Sequence, residues 1–196
     1  ATDAKKGKWV KGPNIALFKA LENELGENLP IIAEDLGFLT PAVLKMLKKS
    51  GYPGMKVLQF AFGDDAESDY LPHNFAKNCV VYTGTHDNDT IIGWAENSAK
   101  EEVEFAERYL DSKANESFNW AMMKSALSSV ADICILMMAD LIGKGSEARI
   151  NTPSTVGENW KWRIEGSNIN DWLSKIIADY TETYGREKKT KIKKTE

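Results

Sequence analysis

Apolar positions along this chain keep two rhythms. Short, mostly apolar runs occupy 31–33, 55–62, 79–82 and 133–138, and between them lie longer stretches whose apolar residues recur three and four apart. Short runs of this kind fit strands buried on both faces, and the wider spacing fits helices with one inner face. The first predicted helix covers 14–25, with Ile15, Leu17, Phe18, Leu21 and Leu25 on one side and Gly26 as its stop. Pro30 leads the run 31–33, read as a strand that ends in Glu34-Asp35-Leu36-Gly37. Thr40 is an N-cap with Pro41 at the first helical position, and that helix runs to Ser50 before Gly51 closes it. Strands at 55–62, 79–82 and 133–138 follow, with helices at 101–110, 117–131 and 168–184. The last helix is expected to turn Ile169, Trp172, Leu173, Ile176 and Ile177 inward. The tail, 186–196, is almost wholly charged and polar and reads as disordered and solvated.

Strand runs alternating with helices predict an α/β fold with a parallel sheet covered on both faces. Four such units make half of an eight-fold barrel or a small open sheet, and 1–185 reads as a single domain.

Composition narrows the function classes. The chain has 196 residues, 42% hydrophobic and 28% charged, enough for a sizeable core without staples. Its net charge of −4 argues against nucleic acid as a partner, because a phosphate-backbone binder shows a basic face. No apolar run is long enough to span a bilayer, so no membrane partner is expected. The two cysteines, Cys79 and Cys134, both sit in apolar stretches and read as buried reduced thiols of a cytoplasmic protein. Nucleotide-binding glycine loops and a nucleophile elbow are absent from the sequence.

In parallel α/β folds the functional residues gather where strands end. Here three consecutive strand ends carry carboxylates: Glu34 and Asp35, then Asp64 and Asp65, then Asp87 and Asp89. Glu34 directly follows an apolar run, which makes it the general-acid candidate through partial desolvation. Asp87, after His86, suits a fixed negative charge facing a developing positive one. Paired carboxyl groups of this sort serve glycoside chemistry, and both are expected to face one cleft. The competing use of the same residues is a Ca²⁺ or Mg²⁺ site built on Asp64-Asp65-x-x-x-Asp69 or Asp87-x-Asp89, although neither spacing matches an EF-hand loop. Trp160 and Trp162 are open to two readings, sugar-ring stacking or packing of a loop onto the core.

Several segments carry a family resemblance. Ile31-Ile32-Ala33-Glu34-Asp35-Leu36-Gly37 with Thr40-Pro41, Gln59-Phe60-Ala61-Phe62 with Leu71-Pro72-His73, and Thr83-Gly84-Thr85-His86-Asp87-Asn88-Asp89-Thr90 come in this order. Arg149-Ile150-Asn151-Thr152-Pro153 with Gly157-Glu158-Asn159-Trp160-Lys161-Trp162-Arg163 completes the series, and Lys8-Trp9-Val10-Lys11-Gly12-Pro13 also fits. From about Lys5 to Tyr180 the chain resembles the C-terminal part of the 4-α-glucanotransferases (amylomaltases, glycoside hydrolase family 77). The resemblance implies strands five to eight of a (β/α)₈ barrel of the α-amylase clan. It implies a retaining transfer between maltooligosaccharides without a cofactor. Glu34 is then the general acid/base and Asp87 the transition-state stabiliser, while His86, Asp64, Asn151 and Asp35 contact substrate.

Two departures stand out. The family's nucleophile is an aspartate in an Arg-x-Asp-His segment, which none of Arg108, Arg149, Arg163 and Arg186 begins. Ala139 precedes Asp140 where the family pattern leads one to expect glutamine. The expected partner beyond substrate is therefore the missing N-terminal half of the barrel, or a second copy of the chain. Two alternatives remain at this point, an α-glucan-binding half-barrel without catalysis and an acidic metal-binding α/β domain. Metal titration by calorimetry separates the last from the others.

Overall fold

The computed structural model describes residues 5, 7–8, 10–37, 39–63, 66–114 and 117–187. The chain divides into two compact units, 1–54 and 55–196.

In the first unit, α1 (Ile15–Leu25) and α2 (Pro41–Ser50) have the ends that local chemistry dictates. Asn14 caps α1 through its side chain, and Thr40 Oγ1 accepts from Val43 N–H at 3.4 Å with Pro41 at the first position of α2. Gly51 ends α2 in the left-handed region, φ 72°, which costs glycine nothing. Neither helix contains a buried residue, and Leu17, Leu25 and Leu44 are exposed. The run 31–33 is not a strand: its backbone bonds are Ile31 N–H to Leu29 O at 2.8 Å and Ala33 N–H to Pro53 O at 2.9 Å, which make no ladder. An apolar run becomes a strand only where a neighbour accepts its ladder, and Pro30 has no N–H to offer.

The second unit holds the core. A three-stranded sheet runs β1 (Gly54–Val57), β2 (Cys79–Tyr82), β3 (Ile133–Ile135). β2 and β3 pair in parallel, with Val80 opposite Ile133, Val81 opposite Cys134 and Tyr82 opposite Ile135. Parallel neighbours need a long crossover, and α3 (Ile91–Asn97), α4 (Lys100–Leu110) and α5 (Phe118–Ser128) supply it. Leu58, Leu71, Ile91, Phe118, Met122 and Met123 are fully buried together, each burial worth about 1.5–3 kcal/mol. α5 buries Phe118, Asn119, Met122, Met123 and Ala126, more than one face, because helices pack on both sides of it. A helix of four residues, α6 (Met138–Leu141), follows β3, and α7 (Asp171–Thr183) closes the described chain.

Further expectations change in this unit. The run 55–62 yields strand only to Val57, then a 3₁₀ turn over Leu58–Phe60. α3 was hidden from the pattern because it is short and interrupted by Gly93. β3 lies at the end of the sheet and leaves Ile133 and Ile135 exposed, where burial on both faces was expected. On α7 only Leu173 is buried, while Ile169 before it and Trp172 are more than half exposed.

Arg186, read as part of a solvated tail, is instead held by three main-chain carbonyls. Its guanidinium donates to Leu127 O, Ala131 O and Ser129 O at 2.9, 2.5 and 2.9 Å. Residues 188–196 of that tail lie outside the described residues. Cys79 and Cys134 form no disulfide, and burial pushes the Cys134 thiol up to about 11, which makes it unreactive.

Candidate functional site

The loop after β2 is built so that its tip is fixed and its two ends are tied to one carboxylate. Asn88 Oδ1 accepts from Thr85 N–H and from Thr85 Oγ1, both at 2.8 Å, and Asn88 N–H returns to Thr85 O. This side-chain-closed turn puts His86 and Asp87 at the tip. Beneath it Gln59 Nε2 donates to Asp89 O at 2.7 Å. Gly84 makes room for that amide: an added Cβ there would stand 2.7 Å from Gln59 Nε2.

Asp140 ties both ends. Its Oδ2 accepts from Thr83 Oγ1 and its Oδ1 from Ile91 N–H, each at 2.8 Å. Thr83 closes β2 and Ile91 opens α3, whose N-cap Thr90 accepts from Gly93 N–H at 3.0 Å. Burial pushes the Asp140 carboxyl up to about 6, against the two donors that pull it down, and the nearby Asp89 adds to the rise. The carboxyl is 1% exposed as a residue, and it was missed as a functional candidate although it ends the fourth apolar run as acidic residues end the others.

A pH dependence follows from this. Between its unfolded value of 3.8 and about 6 the folded state keeps a proton that the unfolded chain has released. The folded state then binds more protons, so stability falls as pH rises through this window, by on the order of 3 kcal/mol from this group. Urea unfolding at pH 4 and pH 7 should show that loss, and Asp140→Asn should flatten it. Equal slopes for the two proteins would place the titration elsewhere.

The segment after the 3₁₀ turn at Ser146–Ala148 closes on the tip. Asn151 Nδ2 donates to Asp87 Oδ1 at 2.6 Å, short as charge-assisted bonds are. Arg149 Nη2 donates to Asp87 O at 2.8 Å and its Nε to Asn151 O at 3.0 Å, while Asn151 N–H donates to His86 O at 3.1 Å. Thus both side chain and main chain of Asp87 are oriented from one three-residue stretch. His86 Nε2 lies 3.4 Å from Asp87 Oδ1, and both side chains are about half exposed, at 53% and 49%. The Asp89 oxygens accept from within the protein, from Thr90 N–H and from Ser146 Oγ, at 2.8 and 2.7 Å.

Trp160 is not a core residue. It is 57% exposed, its φ is 64°, and its ring lies 5.1 Å from that of His86 at 37°. The left-handed region costs a residue with a Cβ roughly 1–2 kcal/mol. Trp162 is half-buried and lines a polar cleft of about 590 Å³ with Asp89, Ser146, Arg149 and Glu158. Asn159 stitches the intervening loop by accepting from Thr152 N–H at 2.9 Å.

The remaining candidates divide. Glu34 is exposed, so the desolvation expected of it is not present in this chain. Asp35 lies against Gly54, where an added Cβ would stand 2.8 Å from its Cγ. Asp64 and Asp65 lie outside the described residues, and with them most of the first proposed cation set. Among the described residues no three His, Cys, Asp or Glu side chains converge as metal ligands.

Similarity to known proteins is extensive. The family model described as 4-alpha-glucanotransferase matches residues 1–169. The 4-alpha-glucanotransferase of Clostridium butyricum is 48% identical over 184 residues, which cover 93% of this chain and 38% of that protein. The chloroplastic/amyloplastic 4-alpha-glucanotransferase of Solanum tuberosum is 46% identical over 183 residues, 92% of this chain and 32% of that protein. Among solved structures, amylomaltase from Streptococcus agalactiae in complex with acarbose matches with a TM-score of 0.89 at 35% identity, over 94% of this chain and 37% of that one. Amylomaltase from Corynebacterium glutamicum, at 18% identity and TM-score 0.54, shares the fold. The chain thus spans between 32% and 38% of the length of the Clostridium and Solanum enzymes.

Proposed function

This chain belongs to the 4-α-glucanotransferase family, and on that footing we propose that the full protein transfers α-1,4-glucan segments between maltooligosaccharides by a retaining double displacement. The observation that carries the reading is Asp87, exposed at a loop tip and oriented by Asn151 and Arg149. A carboxylate fixed this way stabilises positive charge as it develops on a sugar ring, because its dipolar surroundings need not reorganise.

Glu34 protonates the leaving glycosidic oxygen while an aspartate outside these 196 residues attacks the anomeric carbon. The first product leaves with a free 4-hydroxyl, and the glycosyl unit stays as an ester on the aspartate. Glu34, now a carboxylate, takes the proton from the 4-hydroxyl of a second sugar, whose oxygen displaces the aspartate. Two inversions retain the α configuration. His86 and Asn151 bind sugar hydroxyls, with Asp64 and Asp35 as further substrate contacts. No cofactor is needed, because each step moves only a proton and a glycosyl group.

In this reading the chain is the C-terminal half, strands five to eight, of a (β/α)₈ barrel. The exposed apolar residues of α1, α2 and β3 support it, since a barrel would cover them. The missing half, or failing that a second copy, is the structural partner. Among the described residues no helix is long and apolar enough to cross a membrane. Cys79 and Cys134 form no disulfide, which suits a reducing compartment, and we place the protein in the cytoplasm.

The test is incubation of the full-length protein with maltotriose. Glucose and maltooligosaccharides longer than the substrate should form together. Glucose and maltose without longer products would mean hydrolysis and would refute transfer. In the same assay Asn151→Ala should lower kcat/KM about 10- to 100-fold by freeing the Asp87 carboxylate to turn, the order expected for an orienting hydrogen bond to a charged group. An unchanged kcat/KM would remove Asn151 from the site.

A further inference from the structure

We propose that Asp140 is a positioning residue of the transfer, holding Asp87 in place by fixing both ends of the loop that carries it, an inference that rests on the glucanotransferase reading. One carboxylate oxygen serves each end. Oδ2 accepts from Thr83 Oγ1, just past β2, and Oδ1 accepts from Ile91 N–H, where α3 starts, each at 2.8 Å. Between these points lies the turn with Asp87 at its tip, closed on itself through Asn88 and Thr85. A turn closed on itself moves as a unit, so its placement is decided at its two ends. Thr83, Ile91 and Asp140 are all buried, and the two bonds form away from water. Further chain around them could only add to that burial.

Asp140 is itself anchored in the core. Asn119 Nδ2, on the buried part of α5, donates to Asp140 O at 2.8 Å, and Asp140 N–H donates to Met137 O at 3.1 Å. Gln59 supports the same loop: its N–H donates to Thr83 O at 3.2 Å and its Nε2 to Asp89 O at 2.7 Å. Gln59 follows β1 and Asp140 follows β3, so the loop is held from beyond both neighbours of β2. Of the two, only Asp140 brings a charge, and hydrogen bonds to a charged group are the stronger kind. That charge has a cost. An apolar residue of similar size needs no such desolvation. Burial pushes the carboxyl up to about 6, so at neutral pH the folded state carries the anion at the expense of stability. A carboxylate that weakens the fold while bonding the two ends of one loop has its use in what that loop does.

The experiment uses the full-length protein and maltotriose, assayed well below each variant's own thermal midpoint so that folded enzyme is compared with folded enzyme. Asp140→Leu keeps the bulk and removes both bonds. It should lower kcat about 100-fold, the order expected when a catalytic group is misplaced by roughly 1 Å. KM should stay within about threefold of wild type, because Asp87 acts on charge that appears only in the transition state. Asp140→Asn can still accept from Ile91 N–H and can donate to Thr83 Oγ1, so its kcat should return to within about tenfold of wild type. A merely structural role would lower the midpoint and leave the kcat of folded enzyme alone. Wild-type kcat in the folded leucine variant therefore overturns the proposal, as does a loss confined to KM. An asparagine variant no better than the leucine one assigns the effect to the charge and overturns positioning through these bonds. Should the leucine variant not fold, Thr83 decides. Thr83→Val deletes one bond at constant shape and should lower kcat about tenfold, while Thr83→Ser keeps the hydroxyl and should stay within about threefold of wild type. Equal kcat for those two variants overturns the proposal. A wild-type protein that makes no longer oligomers from maltotriose sinks the glucanotransferase reading and the positioning role with it. An active wild type beside an equally active leucine variant sinks the positioning role alone.

Discussion

In the full-length protein, Glu34→Gln should lower transfer from maltotriose by about 10² to 10⁴ while leaving glucan binding close to wild type. Glutamine keeps the length and shape of the side chain and can still hydrogen-bond. It has no proton to give the departing oxygen, so that oxygen must leave as an alkoxide. In the second half of the cycle the same variant cannot take the proton from the accepting 4-hydroxyl, so both displacements slow. The measurement is kcat by product chromatography beside Kd by calorimetry. A fall in affinity with kcat retained would make Glu34 a binding residue, and near-normal turnover would move the acid/base role to another carboxylate. An activated-leaving-group substrate sharpens the reading. A glucosyl fluoride needs no protonation, so with it the variant's first step should recover more than its second.

The 196-residue chain by itself should not disproportionate maltotriose at all. In the proposed mechanism Glu34 and Asp87 are committed to proton transfer and charge stabilisation, and neither can also supply the atom that attacks the anomeric carbon. Without a nucleophile the covalent route is closed, and acid catalysis alone contributes about 10² to 10⁴, far below an enzyme's full acceleration. Structure adds a second reason. β3 ends the sheet with Ile133 and Ile135 exposed, and α1 and α2 bury no residue of their own. Such surfaces favour self-association over a formed site. Chromatography after incubation, together with the chain's sedimentation, checks both halves of the expectation. Sustained production of glucose and longer oligomers from pure chain would show that the nucleophile is already present in it.

A feature of this fold is legible in the amino-acid sequence when its cause is local. The ends of α2 are legible because Thr40, Pro41 and Gly51 act on neighbours three or four positions away. β2 is legible because Cys79 to Tyr82 is apolar throughout and has partners on both sides in the sheet. The same kind of run at 31–33 has no ladder to join, and composition does not report a missing neighbour. Arg186 looks like tail because its sequence neighbours are charged, yet the carbonyls that hold it lie 55 to 59 positions earlier.

Residue types in their order are what the sequence contributes to the site. Glu34, His86, Asp87 and the stretch from Arg149 to Arg163 are enough to name the family and the chemistry it uses. Folding alone settles how the parts of the second unit serve Asp87. Asn151 reaches it across 64 positions, and Asp140 closes on Thr83 and Ile91 across 57 and 49. No periodicity encodes such pairs, since hydrogen bonds depend on distance in space and not along the chain. The titration of Asp140 is the furthest from the sequence, because desolvation is a property of everything packed around a carboxyl and vanishes when the chain unfolds.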